Sequence, residues 1–200
     1  MKTQKMKSSK NALIAVLMTA LLVMVACGGN SDKTAEASEN SETTKKEVKA
    51  PTMDIHTATL MGDLEAIKQH IAAGTDLNEK EPAVGSSPLI SAAVFGKTEI
   101  ARALIDAGAD LNLQNNEGST ALHSATFMCR LEIVEMLLEN GADKELLNNY
   151  GSTALQSISA PFAEVKFIYD QISQDLGPLG FKLDYTYVEA TRPKIAELLR

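Results

Sequence analysis

From residue 118 to residue 143 the chain reads GSTALHSATFMCRLEIVEMLLENGAD, and its apolar positions fall into two short runs at helical spacing. Leu122 and Ala125 mark the first run, and Ile133, Val134, Leu137 and Leu138 mark the second. The break between the runs leaves room only for a tight hairpin of two antiparallel helices, opened by Thr120 and closed by Gly141. A pair this short cannot bury its own apolar faces, so the pattern calls for copies of itself stacked on either side.

Those copies are present. Ser87 precedes Thr120, and Thr153 follows it, at an interval of about 33 residues. Gly151 follows Gly118, and Gly141 follows Gly108, at the same interval, while Gly74 stands one residue further off before Gly108. SPLISAA from Ser87, TALHSAT from Thr120 and TALQSIS from Thr153, each with a closing G-A-D or its variant, resemble the ankyrin repeat. Departures are local: the motif proline is kept only in the second repeat, as Pro88, while Ile90 and Gln156 stand at the motif histidine, and one residue is inserted between Asn78 and Ser87. The resemblance implies an all-α solenoid of four to five stacked helix-turn-helix units with β-turn tips. Its repeats fall at about 53–78, 79–112, 113–145 and 146–176, with a degenerate fifth unit at 177–200 as C-terminal cap.

Within this frame Asp54 is expected to cap the first helix, His56 to bond the neighbouring turn, and His70 to be solvated. The second helix of the fourth repeat, Ala163 to about Asp175, is expected to run longer than its predecessors and to stop at the LGPLG of residues 176–180. A last helical pair then spans Tyr185 to Ala190 and Pro193 to Leu199, where Ile195, Leu198 and Leu199 repeat the apolar pattern of a second ankyrin helix.

The N-terminal pattern differs. Four lysines among the first ten residues precede sixteen almost wholly apolar residues, Asn11 to Ala26, which reads as a signal peptide over 1–26, short for a membrane span of about 20 residues. Met24-Val25-Ala26-Cys27 resembles a bacterial lipobox, with Met24 where leucine is usual. That resemblance implies lipidation of Cys27, and Gly28 after it implies outer-membrane sorting by the enterobacterial rule. An ordinary cleaved signal with a chance cysteine and an uncleaved N-terminal anchor are the alternatives. Residues 27–52, rich in Ser, Thr, Glu and Lys without one aromatic, then form the lipidated cysteine and a flexible linker with a reach of roughly 25 to 30 Å. The repeat domain occupies 53–200. The expected location is the bacterial cell envelope, facing periplasm or surface.

Charge and cysteine count narrow the function classes. Residues 1–26 hold four of the 19 basic residues and none of the 26 acidic ones, so the mature formal charge is −11. Phosphate neutralisation needs clustered Lys and Arg, which excludes a nucleic-acid partner. With Cys27 lipidated, Cys129 has no intrachain partner, and stability must come from the stacked core.

Catalysis finds no inventory. His123 and Cys129 lie six residues apart and point to different faces of a helix, and no phosphate loop, G-x-G-x-x-G or G-x-S-x-G occurs. Cys129 replaces the turn glycine seen at Gly62 and Gly96 and reads as a packed residue. Glu132, Glu135 and Glu139 sit opposite Ile133, Val134 and Leu137 as a solvated helix face. No enzyme activity, cofactor, metal or small-molecule substrate is expected.

Protein binding remains. Solenoids of this kind present a concave face, formed by the turn tips and the two residues after the A-A of each first helix. Those residues are Leu60 and Met61, Val94 and Phe95, and Phe127 and Met128, an apolar ladder at solvent-facing positions; the tips add Asn116, Glu117, Ser119, Asn149, Tyr150 and Ser152. The competing reading half-buries one member of each pair under the next repeat. The resulting expectation is a non-catalytic protein-binding module held to a membrane by its lipid, or, alternatively, an inhibitor or accessory subunit of an exported enzyme.

Overall fold

A computed structural model describes residues 50–200, so the expected signal peptide, Cys27 and nearly all of the expected linker lie outside the described residues. Polar caps set where the helices begin. Asp54, Asp63, Ser87, Thr120 and Thr153 each accept a backbone N–H of the first turn, fixing the starts of α1 (Ile55–Met61), α2 (Leu64–Ala73), α3 (Pro88–Phe95), α5 (Ala121–Phe127) and α7 (Ala154–Ser157). The remaining second helices are α4 (Thr98–Asp106), α6 (Leu131–Glu139) and α8 (Phe162–Leu176). A 3₁₀ turn (Gly177–Leu179) and α9 (Tyr185–Leu198) complete the chain. No strand occurs among the described residues.

The first helices α1, α3, α5 and α7 stack in order, and α2, α4 and α6 form a second layer behind them. Small residues let the first helices approach closely: Ala58, Ala92, Ala93 and Ala125 are all fully buried. Ile67, Leu104, Ile133 and Leu137 fill the space between the layers. The tips join repeat to repeat through the backbone, Asn116 N–H to Val84 O at 3.0 Å and Asn149 N–H to Glu117 O at 2.9 Å. Asparagines continue the ladder, since Asn78 Oδ1 accepts from Asp110 N–H and Asn112 Oδ1 from Asp143 N–H, each at 2.9 Å. Each tip is thus bonded to the tip beside it, as a solenoid requires.

The C-terminal quarter departs from the expected order. α8 is long, 15 residues against nine or ten for α2, α4 and α6, and it ends at the glycine-proline turn as its sequence implies. The final pair of helices is instead one continuous helix, α9, with Pro193 inside it. Proline removes one backbone bond, but Val188, Thr191, Arg192, Ile195 and Leu199 form an unbroken buried stripe past it, and that burial carries the helix through. α9 lies against α6, in the place beside the second layer that α8 would take in a regular fourth repeat. α8 and the turn after it thus stand as an insertion between α7 and α9, and one continuous helix occupies the span in which the sequence suggests a last helical pair.

Candidate protein-binding surface

The tips precede the N-termini of the first helices and the ladder follows their C-termini. Seven or eight residues at 1.5 Å each separate the two by about 10 to 12 Å, so the two groups are not one contiguous spot. Between them runs a column that sequence reasoning missed. Thr57, Ser91, Ser124 and Ser157 recur once per repeat, all short hydroxyls on the outer side of the first helices, Thr57 exposed and the three serines half-buried. Periodicity alone would have found them; searching for apolar anchors did not.

The turn-tip residues stand at the surface. Asn116 and Asn149 are exposed, while Glu117, Ser119, Tyr150 and Ser152 are half-buried. They are also ordered: Asn149 Nδ2 donates to Asn116 O at 2.9 Å, Asn148 Oδ1 accepts from the amides of Tyr150 and Ser152, and Asn115 Oδ1 accepts from those of Glu117 and Ser119. Partial burial and the nearby Glu117 carboxylate raise the Tyr150 phenol above its ordinary range, so its ring keeps a neutral hydroxyl.

The ladder is not a continuous solvent-facing strip. Leu60 and Met61 are exposed at 37% and 68%, but Val94, Phe95 and Phe127 are half-buried and Met128 is 9% exposed. The two rings, Phe127 and Phe95, are covered by the inserted C-terminal segment. Tyr169 of α8 stacks on Phe127 with ring centroids 5.1 Å apart, and its hydroxyl donates to Phe127 O at 2.7 Å. Phe181, 5% exposed, meets Phe95 edge-on at 5.9 Å. The cover reaches back to the second repeat and stops short of the first.

Arg192 fastens this cover. It is 5% exposed, and its guanidinium donates to the Tyr169 hydroxyl at 2.7 Å, to Ile158 O at 2.9 Å and to Ala160 O at 2.6 Å. Proline at 161 leaves the preceding carbonyls without a helix to enter, and the arginine fork satisfies two of them.

Four single residues complete the electrostatics. His123, buried in α5, takes the Thr120 N–H on Nδ1 at 3.3 Å and lies 3.0 Å from Ser152 O through Nε2, the bond to the neighbouring turn expected of this motif position. Burial pulls its pKa below the ordinary value against that carbonyl's opposing effect, so the neutral Nε2–H tautomer is the working form. His56, at the same position in the first repeat, has both ring nitrogens buried without a hydrogen-bond partner among the described residues, so the expected turn bond is not made there. His70 is 4% exposed, not solvated, because it ties the entry segment to α2 through Met53 O at 2.9 Å and Thr75 Oγ1 at 3.1 Å. Cys129 is fully buried in the left-handed region at φ 55°, the only non-glycine there among the described residues, and burial pushes its thiol up to about 11.

Comparison with known proteins places this geometry. The family model for ankyrin repeats in three copies matches residues 55–148. The human DNA-binding protein RFXANK is 35% identical over 65 residues, covering 32% of this chain and 25% of the relative. Human protein phosphatase 1 regulatory subunit 27 is 39% identical over 64 residues, 32% of this chain and 41% of the relative. Among solved structures, the ankyrin repeat domain of Bcl-3, a member of the IkappaB protein family, superposes with a TM-score of 0.50 at 32% identity, over 52% of this chain and 45% of that one. The chain spans less than half the length of each of these relatives. With its regular period, first helices stacked on first helices and tips bonded to tips, the chain has the ankyrin-repeat fold and carries three ankyrin repeats within residues 55–148.

Proposed function

We propose that this protein is a non-catalytic binding module, tethered to a bacterial membrane through a lipid on Cys27, that holds another protein along its turn tips and the open first-repeat end of the ladder. Ankyrin repeats indicate a protein–protein interaction module. The observation that carries the siting is the uneven exposure of the ladder: Leu60 and Met61 are uncovered, whereas Phe95 and Phe127 are occupied by the chain's own rings. Apolar side chains left in water, with ordered polar tips elsewhere along the same stack, are what an extended partner surface presents.

The tether rests on the apolar run and on Ala26-Cys27-Gly28 in the sequence. Among the described residues no helix is long and apolar enough to cross a membrane. Outer-membrane placement, facing periplasm or surface, follows from Gly28 under the enterobacterial rule. The reading as an inhibitor or accessory subunit of an exported enzyme draws support from one relative's description as a phosphatase regulatory subunit.

Two measurements test this. Labelling with an alkynyl fatty acid should mark the wild type and not Cys27→Ser; label retained by the variant would refute the anchor. Pull-down from membranes with the full chain should recover one specific protein whose capture falls at least tenfold for Tyr150→Ala and for Met61→Asp, and undiminished capture by both would remove this surface. Recovery of an exported enzyme whose turnover slows on binding would select the inhibitor reading.

A further inference from the structure

Phe181 sits in a slot whose walls belong to the repeats. Phe95 ends α3 and meets the Phe181 ring in a T-shaped arrangement, at 89° between planes. Opposite, Arg130 lays its guanidinium carbon 5.4 Å from the ring centroid. Arg130 is itself held from behind, donating from Nη2 to Val94 O at 3.2 Å and lying over Gly96, where a Cβ would stand 2.9 Å from its Nε. Only glycine permits that approach, and Arg130 Nε is left buried without a hydrogen-bond partner among the described residues.

The segment that carries Phe181 is attached lightly. Gly177, Pro178, Leu179, Gly180, Lys182 and Asp184 are exposed or nearly so, Leu183 is half-buried, and Phe181 alone is buried. The strap's backbone bonds, Gly180 N–H to Gly177 O and Phe181 N–H to Leu176 O, stay within it and the end of α8. Among the described residues no hydrogen bond joins its backbone to the repeats. One ring is therefore the strap's main hold on the stack.

The surroundings say what else the slot accepts. Leu60 and Met61 occupy the same ladder positions one repeat away and are uncovered, so an extended segment lying on them leads to Phe95. Lys97 and Arg130 stand at equivalent positions, each over the turn glycine of the preceding repeat, and neither has an ion-pair partner among the described residues of a strongly acidic chain. Two unpaired cations beside an aromatic slot complement an acidic segment with an aromatic residue.

We propose that the Phe95–Gly96–Arg130 slot is a receptor for an aromatic side chain, occupied in cis by Phe181, and that the partner is a protein whose acidic, aromatic-bearing segment displaces the strap. This rests on the protein-binding reading above and specifies the chemistry of its partner. Tethering presents Phe181 at an effective concentration in the millimolar range, so a free peptide binds weakly until the tethered ring is removed.

The test uses the full chain, as wild type and Phe181→Ala, with fluorescein-labelled peptides copying residues 176–186. The variant should bind the native-sequence peptide at least tenfold more tightly than the wild type does. The peptide carrying Lys182→Glu should bind more tightly still at low salt, and the peptide carrying Phe181→Ala should not bind. Equal binding by both proteins, or binding of the alanine peptide, overturns the proposal. So does a wild-type dimer lost in Phe181→Ala, which would make a second copy the occupant. Hydrogen exchange on the wild type guards against a variant that fails to fold: Gly180 and Phe181 amides should exchange while the Ser124 amide of α5 stays protected, and exchange of all three together would mean that the strap never opens alone. Tyr150→Ala should leave peptide binding unchanged, so a failure here leaves the turn-tip reading standing.

Discussion

Replacing Arg192 by methionine keeps the aliphatic stem and removes the fork that fastens α8 and α9 to the fourth repeat. Three acceptors lose their donor, at 2.7, 2.9 and 2.6 Å, in a position where the arginine is 5% exposed. A hydrogen bond from a charged donor is worth about 1.5 to 3 kcal/mol net, and a buried neutral acceptor left without a donor costs about 1 to 3 kcal/mol; the three share one side chain and do not add in full. We therefore expect Arg192→Met to destabilise by about 4 kcal/mol, a fall in melting temperature of roughly 8 to 16 °C for a unit of this size. Tyr169→Phe, which removes a hydroxyl bonded to both Phe127 O and Arg192, should cost about 1 to 3 kcal/mol. The two share a bond, so the double variant should lose less than the sum, by about 1 kcal/mol. Urea titration followed by circular dichroism measures all three. Strict additivity would refute the fastening role, and so would a change for Arg192→Met no larger than the roughly 0.5 kcal/mol of an ordinary surface substitution.

Other consequences are checked as directly. Phe127→Ala and Phe95→Ala should each destabilise by about 1.5 to 3 kcal/mol, below the figure for a fully buried ring because both are half-buried; an unmoved melting point would return them to the free surface. Stability should fall as pH drops through the ordinary histidine range. The folded state keeps His123 neutral below the pKa of the unfolded chain, so the unfolded state binds the extra proton first; His123→Gln should flatten that slope, and an unchanged slope would assign it to other groups. The Cys129 thiol, buried and raised to about 11, should resist a thiol reagent at pH 8 in the native protein and react on unfolding; prompt native reaction would contradict its packing.

Much of this was legible in the chain because the repeat is written three times over. A period of about 33 residues fixes which residues stack, so Leu122, Ala125, Ile133 and Leu137 could be placed in the core without knowing any contact beyond their own hairpin. Caps were equally local, as Asp54 and Thr120 each act within three residues. What escaped was set at long range. That Tyr169 stacks on Phe127, far back along the chain, and that Phe181 reaches Phe95 across two repeats, depends on how the insertion of α8 folds back, which no period encodes. Pro193 misled for the opposite reason: its local preference for a helix start was outweighed by the buried stripe from Val188 to Leu199. The outermost place of its helix in the stack makes a solvated His70 the sequence expectation, yet the entry segment at Met53 closes over it.

The siting of the partner is tested most directly by photo-crosslinking in cells, with a benzophenone amino acid placed singly at Met61, Asn149 and Glu135. Met61 and Asn149 lie at the open ladder end and on a tip, and Glu135 on the exposed outer face of α6. The same protein should be crosslinked from Met61 and Asn149 and not from Glu135. Crosslinking from Glu135 alone would move the interface to the opposite side of the solenoid and contradict the surface assigned here.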